Sequence, residues 1–255
     1  SSNHLVDHFS LITLLLLFLA ALFAGTVDTL AGGGGLICLP ALLMAGVPPT
    51  MTLGTNKFQA CFGTVTASYR FMRKGHLHWK DIWIGTLASL VGASIGTVCI
   101  LLMNDDFLQK LLPWLLGLAF IYSLLSHKIG KADRKPWLAL PWVFLSLGMV
   151  IGFYDGFFGP GTGSFWVIGL MLIGGMNLQK ATMHTKVYNG VSNVVSLIWF
   201  LATGHVLFIV GIAMAIGQFI GGWIGAHLVM TQGSKLIRPV FLIVVFVMLL
   251  KLIFT

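Results

Sequence analysis

Apolar residues along this chain gather into ten runs, five in each half, separated by short polar or glycine-rich breaks. The runs cover roughly 10–30, 35–46, 51–72, 80–103 and 108–126, then 137–157, 163–176, 184–203, 206–230 and 236–254. Most reach the ~20 residues that a helix needs to span a bilayer. Residues 35–46 do not: at 1.5 Å per residue they cover about 18 Å of an apolar core about 30 Å thick. Such a short element after a glycine run reads as a half-helix or the returning arm of a re-entrant hairpin. The expected fold class is an all-α polytopic membrane protein with broken or re-entrant helices after its glycine loops.

The two halves carry matching landmarks. Asp28 and Asp155 lie 127 positions apart, in Gly25-Thr26-Val27-Asp28 and Gly152-Phe153-Tyr154-Asp155. Beyond the glycine loops that follow, the offset becomes 129, in Gly46/Gly175, Lys57/Lys186, Phe71/Phe200, Gly75-His76/Gly204-His205, Gly92/Gly221 and Gly96/Gly225. The second copy has gained two residues around Pro160. An aligned series of this kind is the signature of internal duplication, the usual build of secondary transporters. The expected organisation is one integral membrane domain made of two repeats, 1–127 and 128–255.

Composition agrees with membrane residence: 57% of residues are hydrophobic and only 9% charged, against about 25% charged in a soluble domain. The formal net charge of +8 is explained by basic cytoplasmic loops rather than by a nucleic-acid partner. Arg70, Arg73, Lys74, Lys80, Lys128, Lys131, Arg134, Lys135, Lys180, Lys235 and Arg238 all fall on one side if each half crosses an odd number of times. Only Lys110 and Lys251 then fall outside. Parallel halves would place Lys180, Lys235 and Arg238 on the wrong side, so the charges favour an inverted-topology repeat with both termini outside. The absence of Lys and Arg ahead of the first apolar run argues against a cleaved signal peptide.

The candidate chemistry lies where polar residues interrupt the apolar runs. Unpaired N–H groups of a glycine turn, followed by a helix N-terminus, form an anion receptor. Gly32–Gly35 lead into 35–46, and Gly159–Gly163 lead into 163–176, so Gly33, Gly34, Gly35, Gly161, Thr162 and Gly163 are candidate ligands for substrate. Close helix packing is the plainer use of these glycines. Lys57, in Thr55-Asn56-Lys57, and Lys186, in His184-Thr185-Lys186, are charges inside hydrophobic segments, costly unless functional. With Asn56, Gln59, Asn189 and Asn193 nearby they are read as substrate contacts, against the alternative of snorkelling to a headgroup. Asp28 and Asp155 either carry a coupling proton, cap the glycine turn, or pair with a lysine of the same or opposite half. The histidines lack metal-ligand spacing and the three cysteines lack CxxC spacing, so neither a metal nor a cofactor is expected. Ala88-xxx-Gly92-xxx-Gly96 and Gly217-xxx-Gly221-xxx-Gly225 read as seams for close helix packing, or for a homodimer.

The Asp-then-glycine run, the Thr-Asn-Lys after Leu53-Gly54, and Gly-Phe-Tyr-Asp-Gly-Phe-Phe-Gly-Pro with His-Thr-Lys downstream resemble the TauE/SafE sulfite exporter family, in its YfcA-like branch. The resemblance implies a bacterial inner-membrane carrier, not an enzyme, that exports a small anion such as sulfite or an organosulfonate. The second loop, Gly-Pro-Gly-Thr-Gly, departs from the four consecutive glycines of the first. No GxxxxGK[ST] motif is present, so a secondary carrier is expected. An anion channel is the alternative, and an intramembrane enzyme built on an Asp28–Asp155 dyad is a distant third.

Overall fold

The computed structural model describes residues 9–31, 33–125, 133–231 and 237–254, which form ten α-helices and no strand among the described residues. In the first half these are α1 (Leu11–Ala31), α2 (Gly35–Met44), α3 (Pro49–Arg73), α4 (Trp79–Leu101) and α5 (Asp105–Leu125). In the second they are α6 (Leu140–Phe157), α7 (Thr162–Leu172), α8 (Leu178–Ala202), α9 (Phe208–Met230) and α10 (Ile237–Phe254). Five helices, α1, α4, α5, α6 and α9, are long and apolar enough to cross a membrane. The chain is thus a multi-pass membrane protein. Of the loop charges that set its expected orientation, Lys128, Lys131 and Lys235 lie outside the described residues.

The central helices α3 and α8 have 25 residues each, about 37 Å of helix. Their mean hydropathy is low because their polar side chains, among them Asn56, Lys57, Gln59, Lys186, Asn189 and Asn193, are buried inside the protein. Both begin earlier than the apolar runs suggested. In α3, Pro49 sits at the first turn, where its missing N–H is no loss. In α8, the Asn177 side chain accepts from Lys180 N at 2.8 Å and caps six residues that hydropathy alone had left in a loop. This shifts the sequence reading in one respect that matters: Lys57 and Lys186, seventh and third in their apolar runs, are each the ninth residue of their helix, two turns in. The short second segment had a counterpart as well, since α7 runs for only 11 residues.

Aligned landmarks of the two halves have matching conformations. Gly75 (φ 78°) and Gly204 (φ 73°) both stand in the left-handed region just after α3 and α8. The following histidine donates back five residues in each case, His76 N to Phe71 O at 3.0 Å and His205 N to Phe200 O at 2.9 Å. Glycine alone takes this helix-ending turn without strain.

Packing crosses between the halves. α9 lies along α1, α4 lies along α6, and α3 crosses α8. The small-residue seams make these approaches possible. A Cβ on Gly221 would sit 2.3 Å from Leu22 O, and one on Gly92 would sit 2.5 Å from Met149 O. On Gly96 it would sit 2.0 Å from Phe153 O, while Gly225 faces Thr26 O at 2.9 Å. Backbone thus touches backbone, as in other membrane helix pairs. The glycines carry the 129 offset and their partners the 127 offset, so each half grips the other through the same contacts. Outward, α4 presents Leu87, Leu90, Val91 and Ile95, and Trp79, Trp137 and Trp142 are exposed near helix ends, as lipid-facing and interfacial positions should be.

Candidate functional site

The two glycine loops bring their short helices to a shared centre. In the first half the chain reverses after α1: a Cβ on Gly34 would lie 2.8 Å from Asp28 Cβ and 3.1 Å from Ala24 O. Gly34 N donates to Asp28 Oδ1 at 3.0 Å, so the carboxylate closes the turn it precedes. In the second half Gly159 (φ 113°) and Gly161 (φ 87°) make the corresponding reversal. There Tyr154 Oη holds Pro160 O at 2.5 Å, and Thr162 N donates to Gly159 O at 3.0 Å.

The buried lysines exchange partners across the halves. Lys57 Nζ lies 2.8 Å from Asp155 Oδ1 and also donates to the Asp155 backbone carbonyl. Lys186 Nζ lies 2.6 Å from Asp28 Oδ2 and 2.8 Å from the Asp28 carbonyl. Each aspartate belongs to the last turn of its helix, where carbonyls lack intrahelical donors and the dipole is negative. One ammonium therefore satisfies a carboxylate, an orphan carbonyl and a helix end together. The lysines end on carboxylates in the core and do not snorkel; they are 2% and 1% exposed. Of the roles left open for the aspartates, two coexist at Asp28, which caps the glycine turn and pairs with the lysine of the opposite half. Asp155 pairs likewise.

Between the pairs lies a cavity of about 30 Å³, room for about two water molecules. The first loop contributes Asp28, Gly34 and Gly35, and the second contributes Asp155, Gly159, Gly161, Thr162 and Gly163. The crossing helices contribute Asn56, Lys57, Gln59 and Ala60 from α3, with Asn189 and Asn193 from α8. Asn193 Nδ2 reaches Thr64 Oγ1 at 3.4 Å. These two residues occupy equivalent places in the halves, so their contact marks the point about which the halves exchange.

Most of the residues singled out in the sequence line this cavity, and four stand apart. Thr55 Oγ1 accepts from Leu207 N at 2.9 Å and so anchors the start of α9. Thr185 is buried without a partner for its hydroxyl. Gly33 is part of the turn, its carbonyl accepting from Leu36 N at 3.1 Å. Lys186 holds Asp28 in place without lining the space itself. Two lining residues were missed, the apolar Ala60 and the polar Gln218 from α9, the latter signalled only by a lone amide in a small-residue seam. Its equivalent in the first half is Ser89, so a repeat-based reading passes over it.

All-helical among the described residues, multi-pass, with a polar cavity of paired charges where two crossing helices meet two helix starts, the molecule has the layout of an integral membrane transporter. The profile of the family described as "Sulfite exporter TauE/SafE" matches residues 17–252. A "Probable membrane transporter protein" of Haemophilus influenzae is 42% identical over 94% of this chain and 94% of its own length. The Escherichia coli K12 protein "Probable membrane transporter protein YfcA" is 41% identical over 93% of this chain and 88% of its own. A Bacillus subtilis relative, YunE, with the same description, is 24% identical over 94% of this chain. No solved structure matches. The chain belongs to the TauE/SafE family, and it is a membrane transporter.

Proposed function

We propose that this protein is a secondary carrier that exports a small oxyanion, sulfite or a close sulfonate, across the bacterial inner membrane. The observation that carries the reading is the convergence of two glycine-loop helix starts on one cavity, with amides and paired lysines around it. Helix N-termini favour negative charge, and a cavity of this size suits an ion of a few heavy atoms. The family description points to the same substrate class.

The two repeats, 1–127 and 128–255, are inverted in this reading. Its support is the reciprocity of the contacts between the halves, together with basic loops that gather on one side only under inversion. Both termini then face the periplasm. Alternating access follows from rocking one half against the other, with the two ion pairs as the links that rocking must open. Breaking a buried pair leaves an uncompensated charge. An oxyanion beside Lys57 offers that ammonium a counter-charge as the pair opens, so substrate lowers the barrier to the movement that carries it.

Binding to purified protein tests the reading. Sulfite should compete with itself in a saturable assay, and Lys57→Met should weaken it at least tenfold. No saturable binding of sulfite or any small sulfonate would refute the proposal.

A further inference from the structure

Gln59 donates through Nε2 to Asn56 O at 3.1 Å and to Asn56 Oδ1 at 2.8 Å. A backbone carbonyl only accepts, so this end of the amide is the NH2 group and the other end is the oxygen. That oxygen, Oε1, is buried and accepts no hydrogen bond, on a residue that is 1% exposed and lines the cavity. The Cys38 thiol lies close to the same side chain without reaching hydrogen-bond geometry. Asp155 supplies a second such acceptor. Lys57 takes Oδ1, and Oδ2 stays buried without a hydrogen bond, although the Thr162 hydroxyl is near. A site meant only for a bare anion has no use for orphaned acceptors, whose desolvation is then left uncompensated.

Charge points the same way. The four ionised side chains cancel in two pairs. What remains for an anion is the field of two helix starts, each equivalent to about half an elementary charge. Together they match one negative charge, and they leave a dianion half uncompensated.

On the anion-carrier reading above, we infer that the cavity takes a small monoanion that also carries a hydrogen-bond donor, an O–H or N–H, which Gln59 Oε1 accepts. Hydrogen sulfite is the simplest such species, and the sulfite dianion is excluded. When the cavity is unloaded, water can act as the donor. A ligand that displaces that water must bring a donor of its own or lose affinity. Gln59 is thereby a specificity residue, rejecting isosteres that lack the donor.

The test is competition against radiolabelled sulfite on the purified full chain, using two shape-matched pairs. Hydrogen carbonate against nitrate isolates an O–H donor, and sulfamate against methanesulfonate isolates an N–H donor. The donor-bearing member of at least one pair should bind roughly tenfold or more tightly, the scale of one buried acceptor left unmatched. Which pair shows the preference identifies the donor. Sulfite affinity should fall as pH rises through its second deprotonation. Gln59→Met should reduce the preference within the pair to about twofold or less; if that variant does not fold, the wild-type pairs and the pH profile decide. Equal binding within both pairs, or sulfite binding that strengthens at high pH, overturns the inference and leaves the anion carrier standing. Failure of every anion to bind, sulfite included, overturns the carrier reading itself and this inference with it.

Discussion

The buried pair of Lys57 and Asp155 offers the sharpest energetic prediction. Both side chains are almost wholly shielded, at 2% and 3% exposure, and the ammonium is also held by the Asp155 carbonyl and, at 3.4 Å, by Asn193 Oδ1. Asp155→Asn leaves that ammonium without a counter-charge, and Lys57→Met leaves the carboxylate without one. Removing one partner of a buried pair costs about 3–5 kcal/mol, whereas replacing both with neutral residues is often close to neutral. At about 2–4 °C per kcal/mol for a chain of this size, each single variant should lower Tm by roughly 6–20 °C. The double variant should recover most of that loss. The assay is a thermal melt of the four purified proteins in one detergent, closed as a double-mutant cycle. Matching variants of Lys186 and Asp28 should show the same pattern at smaller amplitude, because Asp28 is 19% exposed and keeps its bond to Gly34. Additive losses, with the double variant the least stable of all, would refute the claim that the two charges hold each other.

Other outcomes follow from the same geometry. Gly96→Ala should destabilise by about 1–3 kcal/mol, as overpacking does, because its Cβ would sit 2.0 Å from Phe153 O; Gly117→Ala, with nothing within 4 Å, should be neutral or stabilising in the same melt. Cysteines placed at 74, 131 and 235 should all resist an impermeant thiol reagent in intact cells; labelling at 235 but not at 74 contradicts inverted repeats. If Asp155 carries a coupling proton, Asp155→Asn should abolish gradient-driven accumulation while sparing anion exchange, and uphill transport at wild-type rates would leave the membrane potential as the driving force. Asp28→Asn retains an acceptor for Gly34 N, so the loop should stay folded and transport should fall less than with Asp28→Ala.

Much of this architecture was legible because its periodic and punctuating residues act locally. Apolar runs mark helices, and Gly75 and Gly204 end them wherever the chain is placed. The duplication could be read because the landmarks that recur, Asp28 and Asp155 or Lys57 and Lys186, do structural work in both halves. The pairing itself was not legible. The sequence allowed each aspartate a lysine of either half, and only the folded chain brings Asp28 to Lys186 and Asp155 to Lys57. Helix starts were misplaced at α8 because capping by Asn177 outweighs the local polarity of Gln179 and Lys180. Gln218 escaped because a lone glutamine breaks no pattern until the cavity gives it neighbours.

Counterflow in proteoliposomes tests the central claim most directly. Vesicles loaded with unlabelled sulfite and diluted into trace radiolabelled sulfite should transiently accumulate label, saturably, in wild type. The effect should be largely lost in Lys57→Met. A non-saturating leak without accumulation would make the protein a channel, and no sulfite flux in either mode would contradict the account.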